Sequence, residues 1–161
     1  MNPDALYSAP SRYSDANICF NGMTKDEREV LESGAIGAYF YGDNMIANTT
    51  QLVAWYKYAR LKNWDVKYLD WSQVIVQMQV TPHEWVDRLY HDLNRCVLYI
   101  DDFSDSSNQL VSNMVYMFIK RCYNTNTTVF LTSRELVCTE RIAQYLGRMT
   151  LQFKVETPNE H

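Results

Sequence analysis

Glycine and proline are scarce in this chain, at five and four of 161 residues. A chain with so few punctuating residues is built from regular elements rather than long loops. Histidine is scarcer still, at three. His83 and His91 fall on the same helical stretch with no third histidine or cysteine beside them, so no metal site is expected. The four cysteines, Cys19, Cys96, Cys122 and Cys138, are scattered, with no Cys-x-x-Cys pair. That excludes the usual zinc frameworks. Cys96 abuts an apolar run and Cys122 lies on the apolar face of an expected helix, so both read as buried thiols in a reducing compartment. No apolar run approaches the roughly 20 residues that span a membrane. The opening "MNPDALYSAPSRYSD" lacks the charged and apolar regions of a secretory signal. A cytoplasmic protein is expected, with no membrane partner. An excess of positive charge is also missing: the formal net charge is −4 and the pI about 5.3. Nucleic acid cannot be gripped by bulk charge alone, although a local basic patch remains open.

What is present is a core. The chain is 47% apolar and 21% charged, and one domain of this length buries a real interior. Aromatic residues reach 14%, twelve of them tyrosine. Such rings serve both cores and stacking surfaces.

Residues 1–33 read as an extended N-terminal arm followed by a short helix. In "TKDEREVLESG", Thr24 and Glu27 form a capping box and Gly34 a stop. "AIGAYFYG" is a buried strand. From Thr49 to Lys62, Leu52, Val53, Tyr56 and Ala59 follow helical spacing. "DVKYLDW" is a second strand, and "SQVIVQMQ" is open between strand and helix. In "TPHEWVDRLYHDLNR", Thr81 caps, Pro82 opens the helix, and Trp85, Leu89 and Leu93 share a face. "CVLYIDDF" is a strand ending in two carboxylates. The next helix should turn Leu110, Met114, Val115, Met117, Phe118 and Cys122 inward. "TTVFLTSRE", "CTERIAQYLGRM" and "TLQFKVE" are a strand, a helix and a last strand, and residues 156–161 form a tail. Strands that are continuous apolar runs, alternating with helices, predict an α/β three-layer sandwich with a mainly parallel sheet of about five strands.

Ligands meet such sheets at the carboxyl ends of the strands. Three polar clusters should converge there: Gly42, Asp43 and Asn44 with Thr49; Asp101 and Asp102; and Thr132 with Ser133. The first stretch, "GDNMIANTT", matches the phosphate-loop pattern of Gly, four residues, Gly-Lys-Ser/Thr at Gly42 and Thr49. Ala47 stands in place of the second Gly and Asn48 in place of the Lys. Ala47 adds a Cβ where backbone must curl, Asn48 removes the charge that neutralises phosphate, and Asp43 adds a negative one. Ser133 has no histidine–carboxylate company, so no hydrolase triad is expected. Asp101, Asp102 and Asp105 read as a solvated strand end.

In order and spacing, "RYSDANICF", "GDNMIANTT", "DVKYLDWSQVIVQMQ", "VLYIDDF", "VFLTSRE" and "ERIAQYL" resemble the P-loop AAA+ domain of the DnaC-type bacterial helicase loaders and their transposition relatives, over residues 11–155. The resemblance implies a degenerate AAA+ domain at 34–155. Its vestigial nucleotide site would comprise Gly42, Asp43, Asn44, Ala47, Asn48, Thr49, Asp101, Asp102, Ser133 and Arg141. Asp102 stands where that family carries Glu, and Arg141 where it carries an arginine finger. It also implies a hexameric DnaB-type helicase as partner, in a bacterial or phage-infected cell. The three loop changes disfavour ATP, so the expectation is a loader without ATP hydrolysis and without cofactor, with several copies on one hexamer. The alternatives are a working ATPase with an aberrant loop, and an inhibitor of the helicase or its loader. With nucleotide chemistry gone, surfaces should carry the function. Leu6, Tyr7 and Tyr13 are candidates for docking on a partner. Lys57, Arg60, Lys67 and Trp71, with Trp85 and Tyr90, are candidates for a track along single-stranded DNA, where the family's strand–helix insertion contacts it.

Overall fold

The computed structural model describes residues 7–18, 23–93, 96–137 and 139–156. Leu6, Cys19 and Cys138 lie outside them. Five strands form the sheet: β1 (Gly37–Tyr41), β2 (Val66–Asp70), β3 (Val97–Asp101), β4 (Val129–Ser133) and β5 (Thr150–Lys154). Their order is β2-β3-β4-β1-β5, and every pairing is parallel. The helices are α1 (Lys25–Ser33), α2 (Met45–Leu61), α3 (Trp71–Val80), α4 (Pro82–Asp92), α5 (Gln109–Asn124) and α6 (Glu140–Met149).

Strand alternation splits the core in two. Tyr39, Leu69, Leu98, Ile100 and Leu131 face α3 to α6, where Trp71, Val74, Met78, Leu89, Phe118, Ile119 and Ile142 complete one cluster. Ala38, Phe40, Tyr68, Tyr99 and Phe130 face the other way and pack with Val30 of α1 and Leu52, Trp55 and Tyr56 of α2. This second layer is rich in aromatic rings. Tyr99 stacks on Phe130 at 4.8 Å, and Trp55 meets Phe40 edge-on at 5.2 Å. Helix α2 is buried round most of its circumference because α1 and the arm cover its outer side. Gly37 is fixed by the β1–β4 approach: a Cβ there would stand 1.7 Å from the Val129 carbonyl oxygen.

Local sequence sets the ends of α1. Thr24 accepts from the Glu27 amide at 3.1 Å, and Gly34 closes the helix at φ +61°. The ambiguous "SQVIVQMQ" is helix, because Trp71, Val74 and Met78 lie on one face and are buried. In α5 the inward stripe is Val111, Val115, Phe118, Ile119 and Cys122. Leu110 and Met117, expected inside, are 62% and 50% exposed. They sit one step off that stripe.

The arm is not simply extended. It makes a 3-10 turn at Ser11–Tyr13 and is bound to its own domain. The Tyr68 amide on the edge strand β2 donates to the Tyr7 carbonyl at 2.8 Å. The Tyr7 hydroxyl donates to Asp92 at 2.6 Å. The Lys57 ammonium donates to the carbonyls of Ser14 and Ala16 at 2.5 and 2.7 Å.

Candidate functional site

Strands β1, β3 and β4 end side by side, and the first-named polar residues meet at their carboxyl ends. Asp101 closes β3. Both its oxygens accept from the Thr49 hydroxyl, at 3.0 and 2.9 Å, and one accepts from Thr132 at 2.7 Å. The Asp102 amide donates to the Thr132 hydroxyl at 2.9 Å. Asp102 itself sits at φ +57°, a left-handed position that Asp tolerates better than most residues. Burial, then the charges of Asp101 and Asp70, hold its carboxyl above the usual range. Ser133 shares a 2.6 Å hydrogen bond with the Tyr39 hydroxyl and donates to the Glu135 carbonyl. It is a turn-stabilising group with no base beside it.

The loop itself is short. β1 ends at Tyr41 and α2 starts at Met45, so only Gly42, Asp43 and Asn44 join them. The residues that would wrap a phosphate have been wound into the first turn of the helix. Asn44 caps that turn: its side chain accepts from the Ala47 amide at 3.0 Å, and its carbonyl accepts from the Asn48 amide at 3.0 Å. Two donors of a would-be anion cradle are therefore engaged within the chain. Asn48 is 0% exposed. Its amide nitrogen points down into the sheet, donating to the carbonyls of Gly42 at 2.9 Å and Ser133 at 3.3 Å. Gly42 has a packing reason to be glycine, since a Cβ would approach the Val155 carbonyl to 2.8 Å. Asp43 lies 3.8 Å from Arg134 in an exposed ion pair, a contact of small energetic weight.

Two halves can thus be told apart. The Thr49–Asp101 pair retains the polar arrangement that holds a magnesium ion in P-loop proteins. In the phosphate half Asn48 stands at the lysine position, three residues join β1 to α2, and the amides of Ala47 and Asn48 are engaged by Asn44. Among the described residues, no group of His, Cys, Asp and Glu has the makings of a metal centre.

The remaining sequence candidates scatter. Arg141 does not join the strand ends. It lies between α6 and α5, donating to Asn113 at 2.8 Å, with its guanidinium 4.5 Å from the centre of the Tyr116 ring. Trp71 is 0% exposed, its indole N–H bonded to the Ser104 carbonyl at 2.9 Å, so it cannot stack on DNA. Lys57 holds the arm, and Lys67 lies 5.6 Å from the Tyr7 ring. Of that track only Arg60 is an exposed cation, and it rests near the Tyr56 ring. Tyr7 is a buried strap residue, and Tyr13 packs at the margin of the α2 layer. Neither is presented for docking.

No protein family matches the chain, and none of the curated proteins does. Solved structures do. The DnaC helicase loader superposes with a TM-score of 0.72 at 16% identity, over 91% of this chain and all of that one (100%). The fold is the P-loop AAA+ fold. DnaI matches this chain with a TM-score of 0.70 at 16% identity, covering 94% of each chain. AMPPCP-bound DnaA from Aquifex aeolicus matches at 0.66 and 13% identity, over 96% of this chain but only 51% of DnaA. At such identities the likeness is one of fold. No helix among the described residues is long and apolar enough to cross a membrane.

Proposed function

We propose that this AAA+ domain is a DNA-replication protein of the helicase-loader kind. It binds a hexameric DnaB-type helicase in the cytoplasm of a bacterial or phage-infected cell, and it does so without ATP. The fold shared with DnaC and DnaI supports the class of partner. The observation that carries ATP independence is Asn48, buried and bonded to Gly42 and Ser133 where a phosphate-binding lysine would reach outward. Removing a close ion pair with phosphate costs several kcal/mol of binding, on the order of a thousandfold in affinity or more.

Native mass spectrometry of this protein with a DnaB-type hexamer, with and without ATP, is the test. The expected result is a complex of the same composition in both, carrying more than one copy of this chain. Absence of a complex, with ATP bound to the free protein, would overturn the reading. The retained Thr49–Asp101 pair favours a second reading, a working ATPase with an unusual loop. Turnover that disappears in Asp101→Asn would establish it. Loading and blocking need the same contact, and a helicase-loading assay on protein-coated single-stranded DNA separates them.

A further inference from the structure

Helices α5 and α6 pack together on the same side of the sheet as α3 and carry cations and tyrosine rings of their own. Helix α5 contains Lys120 and Arg121 and no carboxylate; α6 contains Arg141 and Arg148 against one, Glu140. Three of these cations border the α5–α6 junction, Arg141 and Arg148 in the cleft and Lys120 beside the Tyr116 ring, on a protein whose net charge is −4, whereas Arg121 lies 4.4 Å from the Tyr90 ring on the α4 side. Glu140 lies in the first turn of α6, 3.5 Å from the Gln144 amide.

Three tyrosines occupy the same face. Tyr145 is the centre, with its ring 6.0 Å from Tyr116 and 5.2 Å from Tyr123. The ring planes are inclined at 52° and 60°, so the rings do not use up one another's faces by stacking. The Tyr116 ring is attended by Arg141 at 4.5 Å and Lys120 at 5.9 Å. Tyr123 and Tyr145 carry no cation in this way among the described residues. With Arg141, Gln144 and Arg148 the three rings line an open cleft of about 290 Å³. Arg148 is exposed and makes no hydrogen bond or ion pair among the described residues. Aliphatic side chains, which an apolar helix would seek, do not line the cleft.

We infer that this face binds single-stranded nucleic acid, Tyr123 and Tyr145 stacking bases while Lys120, Arg141 and Arg148 hold the phosphates that join them. The chemistry fits a strand rather than a duplex, because only unstacked bases expose faces to a ring. It fits a polynucleotide rather than an acidic peptide, because planar faces and cations alternate across one cleft. Arg141 acts here within its own chain, as a phosphate contact already oriented by Asn113. The inference does not rest on the helicase reading, since binding is measured with the full chain and oligonucleotide alone.

Fluorescence anisotropy with labelled oligothymidine and oligouridine, at about 50 and 200 mM salt, tests it. Both strands should bind at low salt, and their ratio tells DNA from RNA preference. Tyr145→Ala should weaken binding about tenfold and Tyr145→Phe should restore it, because stacking needs the ring and not the hydroxyl. Arg148→Ala should lower the salt slope by about one. Arg60→Ala, on α2, should leave affinity unchanged. Circular dichroism of each variant checks that it is folded. No binding at low salt, or binding indifferent to Tyr145 and Arg148, overturns the inference. Failure to bind oligonucleotide, with loss of the helicase complex in Arg148→Glu, also overturns it and gives the face to a protein partner.

Discussion

Asn48 holds two carbonyls at once, and an amide is the group that does so without bringing a charge inside. Asn48→Ala removes the donor from the Gly42 carbonyl and should destabilise the protein by about 1–3 kcal/mol. Asn48→Asp should cost more, because a carboxylate would face the same two oxygens in a fully buried site. Urea unfolding of both variants measures the difference; equal losses would mean that the hydrogen bonds carry little. Asp102 offers a pH test. Its folded pKa is raised above 3.8, so its contribution to stability is full below that value and is lost as pH rises through the raised one. Ionised Asp102 therefore weighs against the fold at neutral pH. Asp102→Asn, which tolerates the same left-handed backbone, should raise Tm at pH 7 by about 1–2 °C, the scale of a half-exposed group. The gain should vanish below the ordinary carboxylate range, as thermal melts across pH would show. The register of Asn48 and Asp102 was readable from spacing alone. That Asn48 turns inward was not, because it depends on where β4 ends.

At the scale of elements, the arm works as a strap on the sheet's open edge. Tyr7 gives β2 one partner it lacks from any strand, and Lys57 clamps the turn that follows. Exposed edge strands invite pairing with other chains. Lys57→Ala should loosen the arm, speed hydrogen exchange at the Tyr68 amide about tenfold or more, and promote self-association at high concentration. Exchange measured by mass spectrometry checks the first effect and light scattering the second; an unchanged Tyr68 amide would deny the clamp. The sequence read elements well where local chemistry decides them. Thr24, Glu27 and Gly34 set α1 without help, and apolar strands announced a covered parallel sheet. It failed where neighbours decide. Trp71 looked like a surface ring until Phe103 and Phe118 closed round it at 5.0 and 5.4 Å. Met117 and Leu110 looked internal because α5 is apolar on more than its buried stripe.

For the whole molecule, the proposed loader reading raises the question of how a chain without a nucleotide cycle would alter a closed ring. Binding can shift a ring toward an open form only by favouring that form, and one small domain supplies limited differential affinity. Several copies acting on one hexamer add their preferences, which is why the expected mass spectrum steps upward in units of 18.9 kDa. The two faces have separate duties in this scheme. The strand ends are closed by Asn44, Asn48 and Thr49, while the α5–α6 side leaves Tyr123 and Arg148 exposed beside the half-buried rings of Tyr116 and Tyr145.

The strand order has a consequence for synthesis. Of the five strands β1 is the first to leave the ribosome, yet its neighbours, β4 and β5, are the last two of the five to be made. Until they emerge, Tyr39 and Phe40 have no sheet to join, and the partly made chain must carry those rings uncovered. β2 and β3 are adjacent both in sequence and in the sheet, so they can pair early and wait. A nascent chain halted before Thr150 would leave β1 with one side unpaired. Such a product is a natural target for chaperones and proteases, which makes the interval before β5 emerges the time at which this domain is most exposed to loss.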